Sequence, residues 1–499
     1  MKKLLCAILS AVMLAGCSAP AVQTAPPESA STDSTATHWQ LEKGGLEILA
    51  PNGMAENAIT TEKTKDHTVI RISAPGTYVL SGKLTPGQIA VDLGEQAKDD
   101  PNAVVTLILD GLDITCPSAP AIIFYNVYES SEPGGPDGAN VILAEGSRND
   151  VNGSHTEEYD GALYSRMSMT LDGGGSLSIT ADNEGLCSEM HLTVNGGEIT
   201  IESGNDGINT NADGVSVTTI NGGSLNIRVT GETGEGDGID SNGALVINGG
   251  TIHTFACGSS GDGGIDADKG IRINGGTLCA TGNMIDRIDE NSQTHAVFTF
   301  ADPQKPGIYT LKNAAGETVM ELNAENTFRN LILSAPDLTE GTYTLWAGDT
   351  QFEGMVGAGG GFFGELQPIE GPDWPGRDEG RVEIPPQPTQ PIVTHGVQPT
   401  PDMSVQGEGP AIGEMPDGER PTDMPIPDFG GFDPSQMPVP PMPQEGADLP
   451  ATQLPEGVEP PRDGFGRHPI GDTVIVGILS TDFHLKPGAN YFTSLRPVA

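Results

Sequence analysis

Four short acidic segments contain the side chains best suited to chemistry. Each has a central leucine or isoleucine flanked by carboxylates and amides, and these central residues follow one another at steps of 22, 31 and 26 residues. If the central residue points inward, the residues one and three places later share the outward face. Stacked segments then form columns of oxygen donors. The four segments are Asn183–Glu189, Asn205–Asn211, Gly236–Asn242 and Asp262–Asp268.

These columns predict a calcium site. Carboxylates on adjacent strands lie about 4.8 Å apart and repel each other by roughly 3.5 kcal/mol at an effective dielectric constant near 20. Hard oxygen ligands of this kind suit calcium. A purely structural ladder is the alternative, because Asp and Asn beside Gly are common turn residues and Asn ladders stabilise strands without metal. The candidate ligands are Asp206, Asn209, Asn211, Asp237, Asp240, Asn242, Asp262, Asp266 and Asp268.

The pattern favours binding over catalysis. Lys269 follows Asp266 and Asp268 and is a weak candidate for the base of a calcium-assisted β-elimination. Its alternative interpretation is a surface lysine that balances acidic neighbours. A column supplies many carboxylates without singling out the pair that glycoside hydrolysis needs. The sequence therefore predicts no catalytic residue. If the protein is an enzyme, we expect it to be a polysaccharide lyase.

A second repeat positions these segments. Asp172-Gly173-Gly174 and four later Asn-Gly-Gly triplets, which begin at residues 195, 221, 248 and 274, recur at steps of 23, 26, 27 and 26 residues. Apolar residues alternate on both sides of each triplet, and glycine permits the sharp bend between strands. A fixed period of this length indicates one unit stacked many times, with right-handed crossovers. The sequence predicts an all-β chain that forms a right-handed parallel β-helix, a solenoid.

Composition divides the chain into segments. We predict a lipoprotein signal peptide over 1–16, a flexible tether over 17–37, the parallel β-helix over 38–290 and a β-rich cap over 291–356, which protects the open strand edges. The Pro- and Gly-rich acidic stretch 357–470 cannot bury a core and is predicted to be disordered, and 471–499 regains strand character.

The amino terminus and the charge predict where the chain works. An apolar run that ends in Leu14-Ala15-Gly16-Cys17 looks like a bacterial lipobox, so we expect export and attachment to the membrane through lipid on Cys17 alone. The formal charge of −44 argues against nucleic acid as a partner and favours cations. We expect a monomer, with the four cysteines outside residues 1–17 as isolated thiols.

Several of these motifs together resemble a known family. Ala74–Gly82, the strand Leu107–Gly111, Glu235–Gly243 and the Asn-Gly-Gly series are similar to exported bacterial carbohydrate-binding domain-containing proteins. The resemblance covers roughly residues 65–350. It implies a β-helix similar to those of calcium-dependent pectate lyases, together with calcium and binding of cellulose or acidic plant-wall polysaccharide.

Three functions remain open at this point. The first is a surface-anchored, non-catalytic carbohydrate-binding lipoprotein that binds a uronate-containing polysaccharide through calcium. The second is a calcium-dependent polysaccharide lyase of the pectate type, for which Lys269 or an arginine must be the base. The third is a structural adhesin or spacer, whose columns only hold the repeats together.

Overall fold

A computed structural model describes residues 37–41, 45–51, 53–55, 57–130, 133–357 and 479–498. Within these ranges the chain is all-β, and the only helical element is a 3₁₀ turn at Glu95–Asp99. No helix in the described ranges is long and apolar enough to cross a membrane. The predicted signal peptide and Cys17 lie outside the described residues. The predicted tether and the Pro/Gly-rich stretch also lie outside them, except for Thr37 and Gly357 at their ends.

The described residues contain 32 strands, numbered here in chain order. They are β1 Thr37–Gln40, β2 Glu47–Ala50, β3 Ile59–Lys63, β4 Thr68–Ile72, β5 Gly76–Leu84, β6 Gly87–Asp92, β7 Val105–Thr115, β8 Ile122–Asn126, β9 Ala139–Leu143, β10 Arg148–Gly153, β11 Gly161–Ser165, β12 Met169–Gly173, β13 Ser176–Ala181, β14 Glu184–Ser188, β15 Leu192–Val194, β16 Glu198–Ser203, β17 Ile208–Thr210, β18 Val217–Ile220, β19 Ser224–Val229, β20 Ile239–Ser241, β21 Ala244–Ile247, β22 Thr251–Phe255, β23 Ile271–Ile273, β24 Thr277–Gly282, β25 His295–Gln304, β26 Gly307–Asn313, β27 Thr318–Ala324, β28 Phe328–Ser334, β29 Gly341–Ala347, β30 Thr350–Val356, β31 Phe483–Leu485 and β32 Ala489–Pro497.

Parallel pairing links the strands β4 to β24 to the corresponding strands in the adjacent repeat. Eight strands form one sheet in the order β20-β17-β14-β11-β8-β6-β4-β3, and the other 24 form a larger sheet. Within the larger sheet, β10-β13-β16-β19-β22-β24 and β9-β12-β15-β18-β21-β23 are two parallel runs. The prediction of an all-β chain with stacked parallel strands is confirmed.

The apolar residue at the centre of each repeat faces one continuous core. Leu186, Ile208 and Ile239 are aligned across β14, β17 and β20, and all three are fully buried. They share this core with residues of the larger sheet such as Leu225 and Ile252. Full burial of one such side chain stabilises the fold by roughly 1.5–3 kcal/mol. This burial fixes which residues of each strand face outward.

The asparagines of the Asn-Gly-Gly triplets form a hydrogen-bonded ladder. The Nδ2 of Asn221 donates to Oδ1 of Asn195 at 2.8 Å, Asn248 donates to Asn221 at 2.8 Å, and Asn274 donates to Asn248 at 2.7 Å. The last glycine of these four triplets has φ between 83° and 97°, a region that L side chains rarely adopt. The triplets therefore hold adjacent repeats in register and set the bend between strands.

Antiparallel strands follow the parallel runs and cover an open edge. β24 pairs antiparallel with β28, and β25 to β30 enclose a second hydrophobic core that contains Phe298, Phe300 and Phe328. The terminal strands β31 and β32 pair with β29, β25 and β30. The chain after residue 478 thus joins the same body as β25–β30. All four cysteines in the described residues are free and buried.

Neighbouring strands approach so closely at Gly207, beside the acidic columns, that only glycine fits there. This contact leads to a first prediction. A Cβ at Gly207 would overlap the Ile227 side chain and lie 2.6 Å from the carbonyl oxygen of Gly238. We expect Gly207→Ala to lower the free energy of unfolding by about 3 kcal/mol, because the strands must separate. Thermal unfolding measures this effect. Gly261→Ala, where a Cβ meets nothing within 4 Å, is the control, and equal stability of the two variants would contradict the prediction.

Candidate metal centre

One column of polar side chains follows directly from the alignment of the eight-stranded sheet. Asn209 pairs with Asp240 in register, and the bridge between Ile239 and Ile265 continues the alignment to Asp266. Each of these residues comes one place after a buried isoleucine, so its side chain lies on the outer face, as predicted. On the preceding strand, the same position is occupied by Cys187.

A second column lies just before the same isoleucines and is held by backbone amides. Oδ1 of Asp206 accepts a hydrogen bond from the amide of Asp237 at 2.7 Å, and Oδ1 of Asp237 accepts one from the amide of Gly263 at 2.5 Å. Each carboxylate is therefore fixed against the next repeat. This is the structural role that the ladder interpretation predicts, but it leaves the second oxygen of Asp237 available, whereas Oδ2 of Asp206 accepts a long hydrogen bond from Asn209 at 3.4 Å.

The two columns meet at three aspartates. One carboxylate oxygen from each of Asp237, Asp240 and Asp266 lies within 4.8 Å of the others. We call these three residues the acidic cluster. At that separation each pair of carboxylates repels by roughly 3.5 kcal/mol at an effective dielectric constant near 20. The cluster therefore requires bound protons or a cation to remain together.

Burial and mutual repulsion shift the titration of these groups strongly. The pKa of Asp237 is raised to about 10, first by burial and then by the charges of Asp206 and Asp266. Burial followed by neighbouring carboxylates also raises the pKa of Asp206 and of Asp240 to about 7. The pKa of Glu184 is raised to about 7, again mainly by burial. At neutral pH these carboxyls cannot all be ionised unless a cation is present.

Asp286 is a further member that sequence reasoning missed. Burial raises the pKa of both Asp286 and Asp266, and the charge of Asp286 raises that of Asp266 further. Oδ2 of Asp286 accepts a hydrogen bond at 3.2 Å from the amide of Ala267, which places it beside the last member of the acidic cluster. The signal in the sequence was weak, because residues 283–289 contain no glycine and follow the final triplet.

Two buried oxygens beside the cluster have no hydrogen-bond partner among the described residues. They are Oε2 of Glu184 and Oδ1 of Asn209, whose side chains are 5% and 7% exposed. Nδ2 of Asn209 donates to Oε1 of Glu184 at 2.8 Å and, at 3.4 Å, to Oδ2 of Asp206. An unsatisfied buried polar atom costs about 1–3 kcal/mol, so these oxygens indicate a missing positive partner.

The remaining predicted ligands lie elsewhere. Asp262 accepts hydrogen bonds from the amide of Gly236 at 2.6 Å and from the hydroxyl of Ser260. Nδ2 of Asn242 donates to the carbonyl oxygen of Asn211 at 3.0 Å, and the Asn211 amide contacts the sulfur of Cys187 at 3.6 Å. Asp268 is exposed. The structure thus brings together Asp206, Asn209, Asp237, Asp240 and Asp266, and it places Asn211, Asn242, Asp262 and Asp268 around them.

Two of the nearby arginines are paired with carboxylates outside the cluster. The Lys269 side chain lies against Gly214, and its carbonyl oxygen accepts a hydrogen bond from Arg287 at 3.1 Å. Arg228 pairs with Glu202 at 2.5 Å, and Arg272 pairs with Asp289 at 2.6 Å. The two arginine pairs thus engage carboxylates outside the cluster, whereas the positive charge of Arg287 acts on Asp286. A cluster of hard carboxylate and amide oxygens with unbalanced charge is suited to a divalent cation such as calcium.

Comparison with known proteins agrees with the resemblance seen in the sequence. Residues 65–298 match a family described as carbohydrate-binding domain-containing protein. A protein of Acetivibrio thermocellus with the same description is 30% identical over 136 residues, which are 27% of this chain and 45% of the relative. The match therefore spans less than half of the relative. The predicted resemblance to this family is confirmed.

A solved structure is also similar. It is described as the polysaccharide lyase-like protein from C. thermocellum in a gadolinium derivative, and it is 22% identical with a TM-score of 0.33. The similarity covers 47% of this chain and 84% of the other.

Proposed function

From the match of residues 65–298 to the carbohydrate-binding domain-containing family, we propose that this protein binds a polysaccharide without cleaving it, with calcium held by the acidic cluster. The ligand that we infer is an acidic, uronate-containing polysaccharide. The observation that carries the proposal is the meeting of Asp237, Asp240 and Asp266 within 4.8 Å on the outer face of a parallel sheet.

The fold that we propose for this region is a right-handed parallel β-helix. Its support is the parallel register that joins β8, β11, β14, β17 and β20 in one sheet and two further runs in the larger sheet. Stacking of this kind gives a long outer face with a spacing of about 4.8 Å between strands. An extended polymer can lie along such a face and meet equivalent side chains repeatedly.

The residues present fit calcium. Asp237, Asp240 and Asp266, joined by Asp286, would hold one ion, and Glu184 with Asn209 offers unpartnered oxygens for another. Bound calcium would supply positive charge that both the cluster and a uronate carboxylate can share. Without it, a chain of formal charge −44 would repel a polyuronate. We therefore expect sugar binding and calcium binding to be coupled.

Binding without cleavage is the better proposal because no hydrogen bond or ion pair joins the candidate base to the cluster in the described residues. Lys269 lies against Gly214, and a β-elimination needs a base within hydrogen-bond reach of the proton that it removes. We also propose that the protein is exported, anchored through lipid on Cys17, monomeric and turned outward from the cell, where it would meet such polymers.

Incubation of the protein with polygalacturonate, with calcium and with a chelator, tests the function. We expect binding by isothermal titration calorimetry only with calcium, and no increase in the ultraviolet absorbance of unsaturated uronate products. Such an increase would instead identify a lyase. If neither calcium nor any glycan changes the melting temperature, the proposal fails and the columns are structural.

A further inference from the structure

We propose that Tyr125, Tyr159 and Arg166 form a separate sugar subsite for the same polysaccharide, beyond the acidic cluster on the same face of the eight-stranded sheet. This inference rests on the proposed function, because it takes the ligand to be a uronate polymer. The subsite would bind a sugar ring on its aromatic surface and the carboxylate of that sugar on the arginine.

The aromatic surface is a cluster of three tyrosines outside the main core. The rings of Tyr125 and Tyr159 meet edge to face with centroids 5.5 Å apart, and Tyr159 meets Tyr164 at 5.3 Å. Tyr164 is fully buried, whereas Tyr125 and Tyr159 are partly exposed. They pack on a small apolar cluster that includes Ile123 and Cys187, separate from the main core. Partly exposed rings on a packed base offer an apolar face to a ligand.

The loop before β11 holds Tyr159 in place. The hydroxyl of Thr156 accepts hydrogen bonds from the amides of Glu158 at 3.2 Å and Tyr159 at 3.0 Å, and the amide of Thr156 donates to the carbonyl oxygen of Tyr159 at 2.8 Å. Asp182 fixes the start of this loop through Ser154 at 2.6 Å and the amide of His155 at 3.0 Å. The ring is therefore positioned before any ligand arrives, which reduces the entropy lost on binding.

Arg166 supplies the charge that a uronate needs. Its amide donates to the carbonyl oxygen of Phe124 at 2.9 Å, so it lies beside Tyr125 on the neighbouring strand. The side chain is exposed and forms no ion pair with any carboxylate in the described residues. A guanidinium group binds a carboxylate through two parallel hydrogen bonds.

Two nearby carboxylates have other partners, whereas the charge of the exposed Glu158 acts on both Tyr125 and Tyr159. Asp92 is paired with Arg71 at 3.3 Å and accepts a hydrogen bond from Asn126 at 2.9 Å. Glu189, on the strand next to Arg166, accepts a hydrogen bond from the hydroxyl of Tyr164. In this strongly acidic protein, an exposed arginine beside partly exposed tyrosines is the charge complement of a carboxylate ligand.

The register of the sheet places Tyr164, the buried base of the subsite, in the same column as Asp240, and Arg166 lies two residues further along the chain. Tyr164 pairs with Cys187, Cys187 with Asn209 and Asn209 with Asp240. Three strand spacings of about 4.8 Å separate the tyrosine row from Asp240 by roughly 14 Å. A polymer lying across the strands would therefore contact the cation at one point and the tyrosines and Arg166 at another. A single sugar would contact one of them alone, so affinity should rise steeply with chain length.

Titration of the full chain with hexagalacturonate at saturating calcium tests this proposal. We expect Arg166→Gln and Tyr159→Ala each to raise Kd about tenfold, because each removes one contact from a bound chain. Tyr159→Phe retains the ring and should bind like the wild type. Arg148→Gln, which changes an exposed arginine on β10 of the larger sheet, should also have no effect. With monomeric galacturonate, all variants should be alike.

A calcium titration without sugar separates the possible failures. It should be unchanged in every variant, since none of these residues contacts the acidic cluster. If Arg166→Gln and Tyr159→Ala bind hexagalacturonate like the wild type, the subsite is wrong and the proposed function stands. If the variants lose calcium as well, their effect runs through the metal centre and the subsite is again wrong. If the wild type itself binds no hexagalacturonate with calcium, both proposals fail.

Discussion

Replacing Asp240 with asparagine is expected to weaken calcium binding by at least about 100-fold. Asp240 contributes one of the three carboxylates that meet within 4.8 Å, and no salt bridge within the described part of the chain engages it. Loss of residues that only support a metal ligand already costs about 10- to 100-fold in affinity, so the loss of a direct ligand should cost no less. Calorimetric titration of chelator-treated protein with calcium measures this change.

The same substitution should lower the melting temperature in calcium, and a matched aspartate outside the cluster provides the control. A 100-fold loss of affinity removes about 2.7 kcal/mol of calcium-dependent stabilisation at a fixed calcium concentration, or about 5 °C in Tm. Asp150→Asn, at an exposed position of β10, removes the same charge outside the cluster and should leave calcium binding unchanged. Equal calcium affinity of Asp240→Asn and wild type would show that the ion is bound elsewhere or not at all.

Calcium-free protein is expected to lose stability as the pH rises from 6.5 to 8.5. Burial and mutual repulsion raise the pKa of Asp206 and Asp240 to about 7 and that of Asp237 to about 10. In the unfolded chain these groups are already ionised above pH 5, so the folded state binds more protons throughout this window. Their stabilising contribution is complete below about pH 4 and is lost as the pH passes through the raised values. We expect Tm to fall on the order of 10 °C.

The chosen window lies above the pH range in which His253 and His295 oppose this trend, and among the described residues only the lowered pKa of Cys257 acts against it within the window. Burial lowers the pKa of His253 and His295, so their contribution to stability is lost only as the pH falls below about 6.5. Saturating calcium should flatten the profile, because the ion binds the deprotonated carboxylates. Asp237→Asn should also flatten it in calcium-free protein, since it removes the group with the largest shift. A calcium-free Tm that is constant or rises over this window would contradict the assignment of buried, like-charged carboxyls.

The parallel register was predictable because its determinants are local and periodic. The Asn-Gly-Gly triplets and the isoleucines at 208, 239 and 265 recur with the repeat, and both signals describe one strand and its bend. The same periodicity placed Asn209, Asp240 and Asp266 in one column. The periodicity could not predict which carboxylate oxygens already accept hydrogen bonds. The bonds from the amides of Asp237 and Gly263 depend on the exact offset between repeats.

The parts of the two sites that the sequence did not reveal come from irregular segments. Asp286 joins Asp266 from a stretch without a triplet, so no period aligns it with the other columns. Tyr159 lies in a loop before the regular repeats and reaches Tyr125 only through the turn at Thr156. In the sequence alone, neither Asp286 nor Tyr159 belongs to a repeat or motif. Contacts between irregular segments and a regular sheet require the three-dimensional structure.

The pairing of β30 with β32 has a consequence for the integrity of the molecule. Two described ranges, which end at Gly357 and begin at residue 479, meet in this sheet, where Gly354 and Ser480 exchange backbone hydrogen bonds at 2.9 Å. Phe492 and Leu495 of β32 are buried in the core of the strands β25–β30. A peptide bond broken anywhere between 358 and 478 would therefore leave a two-chain protein, with β31 and β32 held in place by non-covalent contacts alone.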